Sequence, residues 1–335
     1  MSEPRITERP FDDMRALVMS VPPEDVAART QLRDRLEAYQ GPHAPVGRLA
    51  DAVEWLAGWQ GSRPDISRPL IAVFAGTHGV ARQVMVADHS GPDVLDIAQT
   101  RIKGLSEGGA GVRGAALAIE AAFKIYEMGL EYPCADMTIE ASLSERECAA
   151  AMAFGMEVVA EGADVLALGN AGIGAAAAAA AIAQCLYGGS ADYWANGPDA
   201  RAAHRIAAVE KAVTRHREAA ADPLEVLRCF GGRDIAGLVG AIVAARHQRI
   251  PVVLDGFVVC AAAAVLHSLD PKAIAHCYAG HVGSEPAHRA LLDRLGLKPL
   301  LDLGLGIGDG TGAAFAVGTL KQACKAVATL TMADS

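Results

Sequence analysis

The sequence predicts an α/β protein with a Rossmann-like, mostly parallel sheet flanked by helices. From about residue 68 onward, short β-rich runs alternate with longer helical patterns, which is typical of βαβ units. Glycines or polar residues follow each of these runs. The composition, 52% hydrophobic and 21% charged over 335 residues, is sufficient for one large buried core with or without a smaller second domain.

Five runs are predicted to be strands: Leu70–Phe74, Val165–Leu168, Pro251–Leu254, Ala275–Ala279 and Leu300–Leu303. Between them, Ser144 and Glu147 have the spacing of a capping box that begins a helix. Helices are also predicted over Arg205–His216, Ile235–His247 and Gly312–Ala328.

The first 65 residues are helical in pattern and contain no clear strand. We therefore expect three parts. Residues 1–65 would form the N-terminal helical part of a small domain, residues 66–309 the large α/β nucleotide-binding domain, and residues 310–335 a C-terminal helix that joins the small domain.

Composition also excludes some classes of function. The net charge of −9 argues against a nucleic-acid partner, because such binding depends on neutralising phosphates. No apolar run is long enough to span a bilayer, and the charged N-terminus is unlike a signal peptide, so we expect a cytoplasmic protein. The seven cysteines form no C-x-x-C pair and are expected to be buried free thiols. No metal and no cofactor are predicted.

The loops that follow the predicted strands point to a ligand site. They read FAGTHGV, GNAGIGA, DGF, GHVGSEP and GLGIGDGTG, and ligands of open parallel sheets bind at the carboxyl ends of the strands. GNAGIG precedes an alanine-rich helix, whose first free amides could hold a phosphate. The alternative is that Gly169–Gly174 is only a tight turn between a strand and a helix.

Three long blocks carry a family resemblance: MAFGMEVVAEGADVLALGNAGIG, GGRDIAGLVGAIVAARHQRIPVVLDGF and KPLLDLGLGIGDGTGAA. With them, the chain from about residue 46 resembles the nicotinate-nucleotide:dimethylbenzimidazole phosphoribosyltransferases, as a divergent member of the alphaproteobacterial type. The resemblance implies transfer of phosphoribose from nicotinate mononucleotide to a benzimidazole-type base, which gives α-ribazole phosphate for the lower ligand of cobamides. It also implies a homodimer.

The resemblance implies a catalytic role for Asp309, which stands where the family carries a glutamate. A carboxylate in an apolar pocket has a raised pKa and can accept the ring proton of the attacking base. Aspartate is one methylene shorter, so its oxygens could fall short by on the order of 1 Å. The alternative is that Asp309 only caps the helix predicted over Gly312–Ala328.

Further site residues follow from the same resemblance. It implies contacts to phosphate or ribose from Gly169, Asn170, Gly172, Gly174, Arg205, Gly231, Gly232 and Asp255, and a base pocket at Thr77, His78, His281, Gly283 and Ile307. Several of these differ from the family pattern. Asn170 replaces a glutamate, Gly283 a serine, and Gly306 an arginine. His78 and His281 could equally be core histidines bonded to backbone carbonyls.

Two other functions stay open at this point. Loss of several polar site residues would also fit a catalytically weak paralogue that acts as a binding protein or as the partner subunit, in a heterodimer, of an intact relative. A dinucleotide-binding protein is the third reading, but no G-x-G-x-x-G follows the first strand.

Overall fold

A computed structural model describes residues 9–39, 46–85 and 93–330. Residues 1–8 of the predicted N-terminal part and residues 331–335 of the predicted C-terminal part lie outside the described residues. The strands are β1 (Pro69–Ala75), β2 (Ala122–Glu127), β3 (Val165–Asn170), β4 (Val252–Leu254), β5 (Cys277–Ala279), β6 (His281–Val282) and β7 (Leu301–Asp302).

Helices connect and flank these strands. They are α1 (Pro10–Met19), α2 (Val26–Glu37), α3 (Leu49–Gln60), α4 (Ala81–Met85), α5 (Val94–Glu107), α6 (Gly111–Ala118), α7 (Glu145–Met156), α8 (Ala175–Tyr187), α9 (Ala191–Ala195), α10 (Ala202–Arg215), α11 (Pro223–Phe230), α12 (Gly232–His247), α13 (Gly256–Leu269), α14 (Pro286–Leu295) and α15 (Thr311–Ala328). No helix among the described residues is both long and apolar enough to cross a bilayer.

The central sheet has five strands in the order β2-β1-β3-β4-β5, and every neighbouring pair is parallel. The predicted fold class is therefore confirmed. The sequence prediction missed β2, which supplies one edge of this sheet. It was wrong to place the run Leu300–Leu303 in the sheet, because β7 instead pairs with β6 in a separate two-stranded ladder.

Alternation along the strands builds a core on each face of the sheet. Leu70, Ala72 and Phe74 of β1 pack with α7, α8 and α11 to α14. Ile71 and Val73 point the other way and pack with α3, α5, α6 and α15, as the period of two in a strand requires. The N-terminal α3 and the C-terminal α15 therefore share one face, while the domain boundaries at residues 65 and 309 stay a prediction.

Local helix signals in the sequence hold in the structure. Ser144 and Glu147 form the predicted capping box at the start of α7, and α10, α12 and α15 lie within a few residues of their predicted bounds. All seven cysteines are free, six of them buried, which confirms the expectation of buried thiols.

Candidate active site

A cavity of about 470 Å³ opens at the carboxyl end of the sheet. Its walls are formed by the loop after β3, the starts of α8 and α13, the loop before α15, and α5 with the loop that follows it. It is lined by Thr100, Arg101, Gly104, Leu105, Gly109, Ala110, Asn170, Ala171, Gly172, Ala175, Ala176, Phe257, Val258, Glu285, Gly306, Ile307, Gly308 and Asp309. The loops after β3 and before α15 thus meet where the rule for parallel sheets places a ligand.

A larger cavity of about 750 Å³ lies beside the edge strand β5, between α2, α3 and the end of α14. Trp55 and Tyr278 form part of its wall, with their ring centroids 5.0 Å apart. None of the residues that the sequence assigns to the site lines it. We therefore take the smaller cavity as the candidate active site.

Asp309 is the buried acid of this cavity, with 5% of its surface exposed. Its Oδ1 accepts hydrogen bonds from the backbone N–H of Thr311 at 3.1 Å and from the Thr311 hydroxyl at 2.6 Å. Its Oδ2 is buried and has no hydrogen-bond partner among the described residues. Burial raises the pKa of this carboxyl above its ordinary value, although the Thr311 bonds oppose the shift. One oxygen is therefore bonded to Thr311, and the other is left buried without a hydrogen-bond partner among the described residues.

The loop between β3 and α8 is fixed by the Asn170 side chain. Its Oδ1 accepts from the Gly172 N–H at 2.9 Å, and its Nδ2 donates to Asp234 Oδ2 at 2.8 Å. Gly174, at φ 91°, precedes α8, and no side chain caps this helix. Because the first amides of a helix lack partners within it, those of Ala175 and Ala176 are available at the cavity wall.

Behind this loop, His78 and Asp234 form a buried ion pair. The distance from His78 Nε2 to Asp234 Oδ1 is 2.9 Å, and both side chains are 2% exposed or less. Burial alone would lower the pKa of His78, but the Asp234 carboxylate outweighs it and holds that pKa well above its ordinary value. The pKa of Asp234 is lowered, because His78 and Asn170 together outweigh its burial. His78 is thus a core histidine, bonded to a carboxylate and not to a carbonyl.

Asp255 holds the start of α15. Its Oδ2 accepts from the Gly310 N–H at 2.6 Å and its Oδ1 from the Ala313 N–H at 2.7 Å. His281 Nε2 lies 2.9 Å from the same Oδ1. Burial tends to lower the pKa of His281, but the bond to Asp255 outweighs it and raises that pKa. Both Asp255 oxygens therefore already accept bonds and the side chain is buried, and its assignment to a ribose hydroxyl stays a prediction.

His288, which the sequence did not single out as a site residue, stands beside this pair. Its Nδ1 accepts from the Gly283 N–H at 2.7 Å. Burial lowers its pKa to about 3, so the ring is neutral at physiological pH. A side chain at Gly283 would meet the carboxylate end of Glu285 and would lie close to His288. Gly283 and His281 thus lie behind the cavity wall.

The remaining predicted residues separate into two groups. Ile307 lines the cavity and is 46% exposed. Thr77 does not line it, because its hydroxyl donates to the Leu130 carbonyl in the core at 2.9 Å. Arg205 is not brought to it either, since its guanidinium donates to Asp199 at 3.0 Å and to the Ala195 carbonyl at 2.7 Å.

Three glycines of the predicted phosphate site lie in close contact with neighbouring groups. Gly169 lies against the backbone of Gly310, so β3 and the start of α15 touch. Gly232 has a positive φ of 65° and packs on the His78 ring, a conformation that favours glycine. Gly231, just before it, packs on Leu227. Neither Gly231 nor Gly232 lines the cavity, and their assignment to phosphate stays a prediction.

Sequence reasoning missed two charged residues of the site. Asp234 lies in the block GGRDIAG that carried the resemblance, but its pairing with His78 depends on tertiary structure. Arg101, on α5, lines the cavity, and one of its guanidinium nitrogens is 3.4 Å from the Gly172 carbonyl oxygen. No glycine-rich strand loop contains Arg101, so the signal that located the other residues was absent. Within the described residues, no His, Cys, Asp and Glu side chains are grouped as a metal site.

Comparison with known proteins decides the family. A family model described as "Phosphoribosyltransferase" matches residues 21–335 of the chain. The chain belongs to this phosphoribosyltransferase family. This confirms the resemblance on which the sequence-based assignment depended.

Named relatives and solved structures of phosphoribosyltransferases are similar over nearly the whole chain. The nicotinate-nucleotide–dimethylbenzimidazole phosphoribosyltransferase of Allorhizobium ampelinum is 46% identical over 323 residues, which are 95% of this chain and 93% of that protein. The enzyme of the same name from Brucella canis is 46% identical over 94% of this chain and 93% of its own. A crystal structure of such a phosphoribosyltransferase from Thermus thermophilus has a TM-score of 0.81 at 30% identity, covering 92% of this chain and 97% of that one.

Proposed function

We propose that this phosphoribosyltransferase transfers phosphoribose from nicotinate mononucleotide to a benzimidazole-type base, with Asp309 as the general base. The relatives that are 46% identical carry the name of this reaction. The observation that carries the proposal is the Asp309 carboxylate, because its Oδ2 is buried at the cavity without a hydrogen-bond partner among the described residues. A buried, unpartnered carboxylate oxygen is costly unless a ligand meets it.

In the proposed reaction, a ring nitrogen of the base attacks the anomeric carbon of the nucleotide. The bond from that carbon to the nicotinate nitrogen breaks, and its electron pair neutralises the pyridinium ring, which leaves as nicotinate. The proton of the attacking imidazole passes to Asp309 Oδ2. A carboxylate whose pKa is raised by burial is a better proton acceptor than one in water. Attack opposite to the leaving group gives the α product.

The same cavity offers groups to both substrates. The free amides at the start of α8 and the Asn170–Gly172 loop would hold the phosphoribosyl part. Phe257, Val258 and Ile307 supply apolar walls for a flat heteroaromatic base. Gly283, whose N–H donates to His288, would affect the base only indirectly.

Several accompanying assignments remain part of the proposal. We infer a homodimer, with a heterodimer of this chain and a paralogue as the alternative, because Leu303, Ile307 and Phe315 are each more than 40% exposed and a partner subunit would cover them. A cytoplasmic location, no resident cofactor and no nucleic-acid partner stay predictions.

The test is turnover by the purified protein. Incubation with nicotinate mononucleotide and 5,6-dimethylbenzimidazole should release nicotinate and form α-ribazole phosphate in equal amounts, as measured by chromatography. Each substrate alone serves as a control and should release nothing. Absence of product with benzimidazoles and purines alike would contradict the proposal. Calorimetric binding of nicotinate mononucleotide without turnover would instead favour the catalytically weak partner subunit.

A further inference from the structure

Arg101 is a cation of the cavity for which the reaction described above has no role. It lies on α5, on the wall that faces Gly172, Ala176 and Asp309. Its guanidinium donates to the Gly172 carbonyl oxygen at 3.4 Å, a long and weak contact. Part of the Arg101 side chain is exposed to solvent, while its guanidinium is partly desolvated in the cavity.

A second cation, Arg201, stands near Arg101. Their mutual repulsion, added to the larger effect of burial, lowers the pKa of Arg101, and the Asp309 carboxylate opposes this. Across residues 9–39, 46–85 and 93–330, neither guanidinium has a carboxylate within ion-pair distance. Arg101 is therefore a cation of the cavity wall that has no ion-pair partner among the described residues and shares that wall with the free amides at the start of α8.

We propose that Arg101 binds an anionic group of the donor nucleotide and so selects the donor; this inference rests on the proposed function. A mononucleotide of nicotinate has two such groups, the 5′-phosphate and the ring carboxylate. Both accept paired hydrogen bonds from a guanidinium. The α8 amides could share the anion with Arg101, because Ala175 and Ala176 line the same cavity.

The test compares Arg101→Met with the wild type and with Lys103→Met. Lys103 is a matched control, because it lies on the same helix, is 71% exposed, and is absent from the cavity wall. Loss of a charge-assisted contact should raise the KM and the calorimetric Kd for nicotinate mononucleotide about 10- to 100-fold. The KM for the base should change little, and Arg101→Lys should recover part of the loss.

Two donor analogues distinguish the anions. If Arg101 contacts the carboxylate, the loss should vanish with nicotinamide mononucleotide; if it contacts the phosphate, the loss should vanish with nicotinate riboside.

The outcomes separate the two proposals. An Arg101→Met protein with wild-type KM and Kd for the donor would overturn the role of Arg101 and leave the proposed function standing. An equal loss with both analogues would also overturn it, since neither anion would then be the contact. A wild type that neither binds nor turns over nicotinate mononucleotide would refute the proposed function and this inference together.

Discussion

Replacement of Asp234 by asparagine tests whether the buried pair with His78 holds the site together. Both side chains are 2% exposed or less and lie 2.9 Å apart. Removing one partner of a buried ion pair costs about 3–5 kcal/mol, because it leaves a buried charge without compensation. Asparagine retains an acceptor for the Asn170 Nδ2, and His78 can lose its proton. We therefore expect a loss near the lower limit, about 3 kcal/mol of the free energy of unfolding.

Urea unfolding, followed by tryptophan fluorescence and by circular dichroism, measures this loss. Asp199→Asn is the matched control, since it makes the same chemical change in a pair with Arg205 whose carboxylate is 48% exposed. Exposed pairs contribute about 0–1 kcal/mol. If Asp234→Asn is destabilised no more than Asp199→Asn, the pair is not what holds the Asn170–Gly172 loop, and the reasoning is refuted.

Three further predictions concern the same framework. The stability difference between the wild type and Asp234→Asn should persist between the ordinary pKa values of 3.8 and 6.5. The difference should shrink as pH rises through the raised pKa of His78, and also as pH falls through the lowered pKa of Asp234. Urea unfolding midpoints measured across pH would check both changes, and a stability difference that does not vary with pH would contradict them. Gly172→Ala should lower the melting temperature by an amount equivalent to about 1–3 kcal/mol, because the added Cβ would collide with Asp234 Oδ2. The variant should also bind the donor nucleotide more weakly, and unchanged binding in calorimetry would count against the loop as part of the site. Asp255→Ala should lower the free energy of unfolding in urea by about 3 kcal/mol or more, because the amides of Gly310 and Ala313 and the His281 ring lose their acceptor. A loss below about 1 kcal/mol would show that water replaces the carboxylate.

Local sequence patterns predicted those parts of the fold that depend on short-range hydrophobicity. β1, β3 and β4 are apolar runs buried on both faces, and such runs are visible in a sequence. β2 was missed because it is an edge strand with exposed Lys124 and Glu127, so its apolar content is diluted. The separate ladder of β6 and β7 depends on the change of direction after β5, which no local pattern encodes.

The sequence predicted the loops that form the candidate site. It did not predict which side chains pair with each other there. The glycine-rich sequences located Asn170, Gly172, Ile307 and Asp309, all of which line the cavity. Asp309 Oδ1 accepts from Thr311 at the start of α15, which fits the capping alternative that the sequence left open, while the role of Asp309 as a base stays a prediction.

Pairs of side chains that lie far apart along the chain could not be predicted from local sequence patterns. The pairing of His78 with Asp234, and of His281 with Asp255, follows from the stacking of helices on the sheet. Arg101 reaches the cavity from α5. The polar residues that differ from the family pattern therefore could not be judged singly, since their effect depends on neighbours that only the fold brings together.

The most direct test of the central claim is the turnover rate of Asp309→Asn, measured as nicotinate release, together with its free energy of unfolding. Loss of a general base should lower kcat about 10²- to 10⁴-fold. The pKa of Asp309 is raised in the folded protein, so above its ordinary pKa of 3.8 the charged carboxylate destabilises the fold. At neutral pH, Asp309→Asn should therefore be at least as stable as the wild type. Asp302→Asn, at a carboxylate that is 65% exposed, should retain full activity. Wild-type turnover by Asp309→Asn, or lost activity explained by an unfolded variant, would contradict the assignment of Asp309 as the base.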